Sequence, residues 1–112
     1  MSEVVHRNWG WFQVLEENVD SGGMCSKLKV LVVNPGASLS RQYHNHRNEL
    51  WFVAAGVGKV ETDDRYVNLY PSRSLIIEVG EEHRLINTGD KELVVYEVQY
   101  GSKCEEEDIV RL

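Results

Sequence analysis

The segment QYHNHRNELW, residues 42–51, concentrates side chains that can bind a metal ion. On a β-strand, side chains two residues apart point to the same face, so Gln42, His44 and His46 would all face one side. Either neighbouring pair could bind a metal, with Glu49 supplying a carboxylate oxygen. Both histidines are equally compatible with ordinary hydrogen-bonded strand residues. The residue types therefore indicate a metal site but leave its ligand set open.

The elements around this segment have the period of β-strands. Short alternating or continuous apolar runs recur along the chain, and Gly and Asp residues separate them. The predicted strands are residues 27–34, 50–55, 57–62, 65–70, 74–79, 83–87 and 91–100, with turns at 63–64 and 88–90. A weak helical turn is predicted near residues 12–18. This pattern predicts an all-β sandwich or small barrel, in which closure protects the sheet edges.

Length and composition predict one domain over residues 1–112. The chain is 42% hydrophobic and has a net charge of −6. That charge argues against a nucleic-acid partner, and no apolar run approaches the roughly 20 residues of a membrane span. The first residues lack the apolar core of a signal peptide. We therefore expect a cytoplasmic protein without a membrane or nucleic-acid partner.

The two cysteines, Cys25 and Cys104, lie far apart and match no CxxC pattern. In an intracellular protein we expect them to be reduced, with a disulfide between the two ends of the domain as the alternative. The acidic residues 105–108 are expected to be solvated. Residues 109–112 are expected to return and pack on the body of the domain.

The spacing around the first histidine resembles the first motif of the cupin superfamily. That motif is a glycine, five residues, a ligand, one residue, a His, three or four residues, a Glu, six residues and a glycine. Its positions are matched by Gly36, Gln42, His44, Glu49 and Gly56. Pairing His44 with His46 instead leaves only two residues before Glu49 and breaks the pattern. The resemblance therefore implies Gln42, His44 and Glu49 as ligands, and makes His46 the less favoured choice.

A second cupin motif supplies one more ligand. Gly80, His83 and Asn87 match it, whereas Glu78 stands where a proline is usual. This departure affects a turn and not the ligand, so His83 is expected as the fourth ligand. One amide, two imidazoles and one carboxylate, without a thiolate, suit zinc, with Mn, Fe, Co or Ni as alternatives. The resemblance implies the cupin double-stranded β-helix, a jelly-roll-like small barrel.

A longer resemblance is to the cupin domain of type II phosphomannose isomerases. Residues 35–56 match its pattern PGxxLSLQxHxHRxExWxVxxG, with Arg41 where a leucine is common. Residues 6–17, 83–101 and 105–112 resemble its entry segment RPWGxY, its HRLxNxG segment and its closing EDDIxRL. In that family the domain usually follows a mannose-1-phosphate guanylyltransferase domain, whose glycine-rich loop is missing from this sequence. The resemblance implies an isomerase module that stands alone.

The resemblance also implies a reaction and roles for further residues. The family interconverts mannose 6-phosphate and fructose 6-phosphate through an enediol, whose developing charge a divalent ion stabilises. It implies that Arg47 is catalytic, and this guanidinium could hold the enediolate or the phosphate. Arg84 and Arg41 are weaker candidates for substrate binding, since strand parity turns both away from the ligands. His46 is a candidate catalytic base, with a packed strand histidine as the alternative.

The sequence is compatible with three functions. The first is a metal-dependent phosphomannose isomerase, expected as a homodimer. The second is a non-catalytic cupin that binds a sugar phosphate or nucleotide sugar and regulates a partner, such as a separate mannose-1-phosphate guanylyltransferase. The third is another cupin enzyme, either an isomerase of a different sugar or an iron dioxygenase, against which Gln42 counts. The complete ligand set together with Arg47 favours the first.

Overall fold

The computed structural model describes residues 2–112 and contains eleven β-strands in antiparallel sheets. The strands are β1 Val4–Arg7, β2 Gly10–Val19, β3 Cys25–Val33, β4 Gln42–Tyr43, β5 Arg47–Ala55, β6 Gly58–Thr62, β7 Tyr66–Leu69, β8 Ser74–Ile77, β9 His83–Asn87, β10 Leu93–Gly101 and β11 Val110–Arg111. One sheet has the order β1-β2-β3-β10-β5-β8, and the other has the order β11-β4-β9-β6-β7. Within residues 2–112, no helix is long and apolar enough to cross a membrane. The all-β prediction is confirmed.

The seven predicted strands correspond to β3 and β5–β10, but the helical turn predicted near residues 12–18 is wrong. That segment belongs to β2, which pairs with β1 on one side and β3 on the other. Phe12, for example, lies opposite Val5 and Leu31. Pairing on both sides outweighs the helix propensity of the leucine and glutamates that follow, since propensity is a weak preference that tertiary contacts override.

The inner face of the larger sheet changes from apolar to polar along its strands. Leu31, Val95 and Val53 lie side by side across β3, β10 and β5 and belong to the buried core. Inward-facing residues recur every second position. The next inward rows are Lys29–Glu97–Trp51 and Lys27–Gln99–Glu49. One end of the barrel is therefore filled by apolar side chains, and the other end carries buried charged and polar groups.

A glycine allows the strands to approach closely at the polar end. Gly101 ends β10 and lies opposite Arg47, the first residue of β5. A Cβ at Gly101 would collide with the carbonyl oxygen of His46. A larger residue there would push β10 away from the segment that carries the predicted ligands.

The structure joins Cys25 and Cys104 by a disulfide, so the expected reduced pair is wrong. The register explains the contact, because Cys25 lies opposite Gly101 at the end of the β3–β10 pairing. The two Cα atoms lie 6.0 Å apart, within the usual range for a disulfide.

The segment after the disulfide is held against the barrel. Asp108 is buried, which corrects the expectation that residues 105–108 are all solvated, and Glu106 forms an ion pair with Lys29 at 3.1 Å. Val110 and Arg111 form β11 against β4. The predicted return of residues 109–112 to the body is confirmed.

We expect loss of the disulfide to lower the free energy of unfolding by roughly 2–4 kcal/mol, because the cross-link restricts the unfolded chain. It spans a sequence separation of 79 residues. Urea denaturation of the Cys25→Ser/Cys104→Ser variant measures the loss. Adding a reductant should destabilise the wild type to the same extent and leave the double variant unchanged. A wild type that is insensitive to reductant would contradict the cross-link.

Candidate metal centre

Glu49 lies at the centre of a buried cluster at the polar end of the barrel. Its Oε2 lies 3.1 Å from Nε2 of His44, and its Oε1 lies 3.9 Å from Nε2 of His83. One ligand atom from each of these side chains lies within 4.8 Å of the other two. The side chains are only 3%, 2% and 1% exposed for His44, Glu49 and His83. Donor atoms at this spacing can share one ion with ligand distances of about 2 Å.

Backbone carbonyls fix the tautomer of both histidines. Nδ1 of His44 donates to the carbonyl oxygen of Asp108 at 2.6 Å, and Nδ1 of His83 donates to that of Glu81 at 2.9 Å. A carbonyl can only accept, so each Nε2 turns its lone pair toward Glu49. Nε2 of His83 is buried without a hydrogen-bond partner among the described residues. This arrangement fits a divalent ion, because oriented, deprotonated imidazole nitrogens are its usual ligands.

Burial keeps both imidazoles neutral. Desolvation, with a further contribution from the nearby Arg47 guanidinium, lowers the pKa of His44 to about 4. Desolvation also lowers the pKa of His83. The 3.1 Å contact between His44 and Glu49 is therefore not an ion pair at neutral pH. Neutral imidazole is the form that binds a metal.

Gln42 reaches the same end of the barrel through the strand register. It lies opposite His83 in the pairing of β4 with β9, so both side chains project from one face. Gln42 lines the same cavity as His44 and Glu49, and its Oε1 accepts a hydrogen bond from Oγ of Ser40 at 3.3 Å. The structure thus brings the four predicted ligands to one place.

Arg47 is buried beside these residues and makes several contacts. Its Nε donates to Oε2 of Glu49 at 3.0 Å, and its Nη1 donates to the carbonyl oxygen of Glu105 at 2.9 Å. Its Nη2 lies 3.5 Å from Nε2 of His44. On the other side of the carboxylate, Nε1 of Trp51 donates to Oε1 of Glu49 at 3.1 Å. Glu49 is therefore held from two sides, with a fixed positive charge adjacent to it.

The structure does not bring His46 to the cluster. Strand β4 ends at Tyr43, and the carboxylate of Asp108 accepts hydrogen bonds from the backbone N–H groups of Asn45 and His46, both at 3.0 Å. This turn breaks the alternation that would have placed His46 on the ligand face, and its side chain is exposed. The geometric reason for expecting a catalytic base there is therefore wrong.

Arg84 and Arg41 also lie away from the cluster. Arg84 lies opposite Glu61 between β9 and β6 and pairs with it at 2.9 Å on the outer face of the sheet. Nε of Arg41 donates to Glu82 at 3.2 Å. Neither arginine lines the cavity. Arg84 and its partner Glu61 lie on the solvent side of the sheet and not in the cavity. The position of Arg84 therefore does not support its predicted role in substrate binding.

Buried charges on β3 and β10, which were not predicted from the sequence, lie beside the cluster. Glu97 is buried, its Oε1 lies 4.0 Å from Nζ of Lys29, and it accepts a hydrogen bond from Nε2 of Gln99 at 2.7 Å. Burial, with repulsion from Glu49, raises the pKa of Glu97 to about 7. The signal was available, because Glu97 and Gln99 have the strand parity of the core residue Val95.

A cavity of about 500 Å³ is lined by Lys29, Gln42, His44, Arg47, Glu49 and Glu97. Strand β1 contributes Arg7 to the cavity wall, and strand β11 contributes Arg111. Each of these strands lies at one edge of its sheet. Phe12 and Leu39 add apolar surface. A concave site of this size, with a few converging polar groups, suits a small-molecule ligand.

We expect Glu97→Gln to become more stable relative to the wild type as pH rises. The carboxyl has a pKa of 4.5 in the unfolded chain and about 7 in the fold, so between these values the native state keeps a proton that the unfolded state has lost. Wild-type stability therefore falls over this window by about 3 kcal/mol through this group, and Gln cannot ionise.

Urea denaturation from pH 4.5 to 8, with chelator present, measures this difference between Glu97→Gln and the wild type. The chelator is needed because a bound cation would itself shift the titration of a nearby carboxyl. Glu16→Gln, at an exposed position of β2, controls for the loss of one carboxylate. A pH-independent difference would contradict the proposed ionisation.

Comparison with solved structures confirms the predicted fold. A double-stranded β-helix domain protein from Klebsiella pneumoniae superimposes with a TM-score of 0.73 at 19% identity, covering 88% of this chain and 80% of that chain. A protein described as a sugar phosphate isomerase from a cupin superfamily, from Silicibacter pomeroyi, gives a TM-score of 0.62 at 17% identity, covering 76% and 70%. These likenesses establish the cupin double-stranded β-helix.

Sequence relatives are considerably closer. The alginate biosynthesis protein AlgA of Pseudomonas aeruginosa is 42% identical over 108 residues, which is 96% of this chain and 21% of that protein. The mannose-1-phosphate guanylyltransferase of Escherichia coli K12 is 39% identical over 107 residues, with the same two coverages of 96% and 21%. The chain thus spans about a fifth of the length of these relatives. The family model described as mannose-6-phosphate isomerase C-terminal matches residues 1–112, and the chain belongs to this family.

Proposed function

We propose that this chain is a metal-dependent isomerase domain, comprising residues 1–112, that interconverts mannose 6-phosphate and fructose 6-phosphate. The observation that carries the proposal is the buried cluster of His44, Glu49 and His83, of which His44 and Glu49 line a cavity of about 500 Å³. The family description names mannose-6-phosphate isomerase, and one structural neighbour is described as a sugar phosphate isomerase. Both support a sugar phosphate as the substrate class.

The residues that would hold the ion are Gln42, His44, Glu49 and His83, and zinc suits this set best, with Mn, Fe, Co or Ni as alternatives. When bound, a divalent ion supplies Lewis-acid polarisation of the carbonyl and hydroxyl oxygens of the sugar. The neutral amide of Gln42 adds a ligand without adding negative charge. A divalent cation held by this set therefore keeps a net positive charge, which can stabilise an anionic oxygen.

Arg47 would stabilise the enediolate. Its Nη2 lies 3.5 Å from Nε2 of His44, so its charge lies next to the position where the sugar oxygens would bind. Contacts to Glu49 and Glu105 fix the guanidinium before the substrate arrives. A charge that is already oriented stabilises developing negative charge without reorganisation during the reaction.

Glu97 would carry the proton. Burial raises its pKa to about 7, and it lines the same cavity as His44 and Glu49, opposite Trp51 of β5. A base with a pKa near the working pH can accept a proton and return it. Glu97 would take the proton from C2 of mannose 6-phosphate and give it to C1 of the enediol. A second proton moves between the two oxygens, which completes the conversion of aldose to ketose.

The test is a coupled assay of mannose 6-phosphate conversion to fructose 6-phosphate. We expect activity that a chelator removes and that stoichiometric zinc restores. Activity that survives complete removal of metal would rule out the metal-dependent mechanism. The predicted homodimer stays a prediction, which size-exclusion chromatography with light scattering tests.

A second candidate is a sugar-phosphate or nucleotide-sugar binding domain that acts with a mannose-1-phosphate guanylyltransferase. It is favoured by the relative of that name, of which this chain covers 21%. Tight binding of mannose 6-phosphate without turnover at any metal loading would support it. Calorimetric titration beside the coupled assay distinguishes the two candidates.

A further inference from the structure

We propose that Arg7 and Arg111 form the phosphate-binding end of the cavity. This inference rests on the proposed function, since it names the residues that would hold the phosphate of the same substrate. The two arginines come from opposite ends of the sequence and line one cavity. They replace Arg84 and Arg41, whose positions outside the cavity do not suit this role.

Two of the four Lys and Arg side chains that line the cavity already form ion pairs. Lys29 lies 3.1 Å from a carboxylate oxygen of Glu106, and Arg47 lies 3.0 Å from one of Glu49. Among residues 2–112, Arg7 and Arg111 have no carboxylate within 4.0 Å. These two guanidinium groups are therefore the cavity cations whose charge is not already neutralised by an ion pair.

The strand register places Arg111 on the same face as two of the proposed ligands. Arg111 lies opposite Gln42 in the pairing of β11 with β4, and Gln42 lies opposite His83 in the pairing of β4 with β9. Residues directly opposite one another project from the same face of a sheet. With neighbouring strands about 5 Å apart, the Arg111 backbone lies roughly 10 Å from that of His83. Arg111 therefore shares the face of two proposed ligands but lies one strand beyond them.

An aromatic ring supports the guanidinium of Arg7. The guanidinium carbon of Arg7 lies 5.4 Å from the ring centroid of Phe12, a buried residue of the cavity wall. Its Nη1 donates to the carbonyl oxygen of His6 at 3.1 Å. A guanidinium has five N–H donors, so this bond leaves others able to reach a ligand. The ring positions the charge at the cavity without neutralising it.

The chemistry of the substrate matches this placement. Isomerisation takes place at C1 and C2, whereas the phosphate is on C6 at the opposite end of the sugar. The anion must therefore lie away from the cluster around Glu49. Paired guanidinium groups bind phosphate oxygens through charge-assisted, often bidentate hydrogen bonds. Two cations that line one cavity also attract an anion despite the overall charge of −6.

The experiment measures binding of mannose 6-phosphate, mannose and inorganic phosphate by calorimetry to the zinc-loaded protein. We expect Arg7→Gln and Arg111→Gln each to weaken mannose 6-phosphate binding about tenfold, and the double variant about 100-fold. Zinc affinity and the weak binding of mannose should not change. Arg65→Gln, an exposed arginine outside the cavity, is the matched control and should bind like the wild type.

The coupled assay separates this inference from the proposed function. The double variant should raise KM for mannose 6-phosphate and leave kcat within about threefold, because the reacting end of the sugar is untouched. A double variant with wild-type affinity and KM would overturn the phosphate assignment, as would a wild type that binds no mannose 6-phosphate. If the wild type binds this sugar but never turns it over and the double variant does not bind, the isomerase proposal fails and the phosphate site stands.

Discussion

His44→Ala is expected to lower kcat about 1000-fold or more, because a Lewis-acid metal supplies several kcal/mol of transition-state stabilisation. Nε2 of His44 lies 3.1 Å from Oε2 of Glu49 and is oriented by the bond from Nδ1 to Asp108. Alanine removes a ligand atom and leaves a gap in the cluster. Zinc content after dialysis and kcat in the coupled assay should therefore fall together.

His46→Ala is the matched control, two positions further along the same segment. Its side chain is exposed, and its ordered contacts are those of its backbone with Asp108 and Ser102. We expect kcat and zinc content to stay within about twofold, as for most exposed substitutions. If His46→Ala lost zinc while His44→Ala kept it, the ligand assignment would be wrong. Circular dichroism of both variants, with His44→Gln as a larger replacement, separates loss of metal from loss of fold.

The four proposed ligands were accessible from the sequence because their spacing is a local property of two short segments. Gln42, His44 and Glu49 lie within one turn and its flanking strands, and His83 begins β9. Matching spacing to a known motif requires no knowledge of long-range contacts. The structure brings three of these side chains, His44, Glu49 and His83, into one cluster and places Gln42 opposite His83, so the ligand set stays a prediction that metal binding can test.

Simple strand parity failed where a distant residue determines the local backbone. The turn at Asn45 and His46 is stabilised by Asp108, which no pattern near residue 45 announces. The return of residues 109–112 was predicted, but the disulfide of Cys104 with β3 and the pairing of β11 with β4 depend on contacts between distant segments. A strand of two residues is too short to show a period, so its partners and the cavity wall they form were not predictable.

Arg47→Lys is expected to lower kcat about 100-fold although the charge is kept, because an ammonium cannot reproduce a planar guanidinium fork. Nε and Nη1 of Arg47 donate to Glu49 and to the carbonyl of Glu105, and Nη2 lies beside Nε2 of His44. One lysine nitrogen cannot occupy all three places. Arg47→Ala should lose more, and in the metal-free protein its free energy of unfolding should fall by about 3–5 kcal/mol, since the buried charge of Glu49 would have no cation beside it.

Arg84→Lys and Arg41→Lys are the matched controls, because both arginines form ion pairs outside the cavity, and both variants should keep wild-type kcat.

The way Arg47→Lys changes kcat and KM distinguishes the two roles that the sequence left open for Arg47. If Arg47 stabilises the enediolate, kcat falls while KM for mannose 6-phosphate stays within about threefold. If it holds the phosphate, KM rises and kcat is largely kept. The second result would remove the separation between a reacting end at Arg47 and a phosphate end at Arg7 and Arg111, because one guanidinium would then serve both.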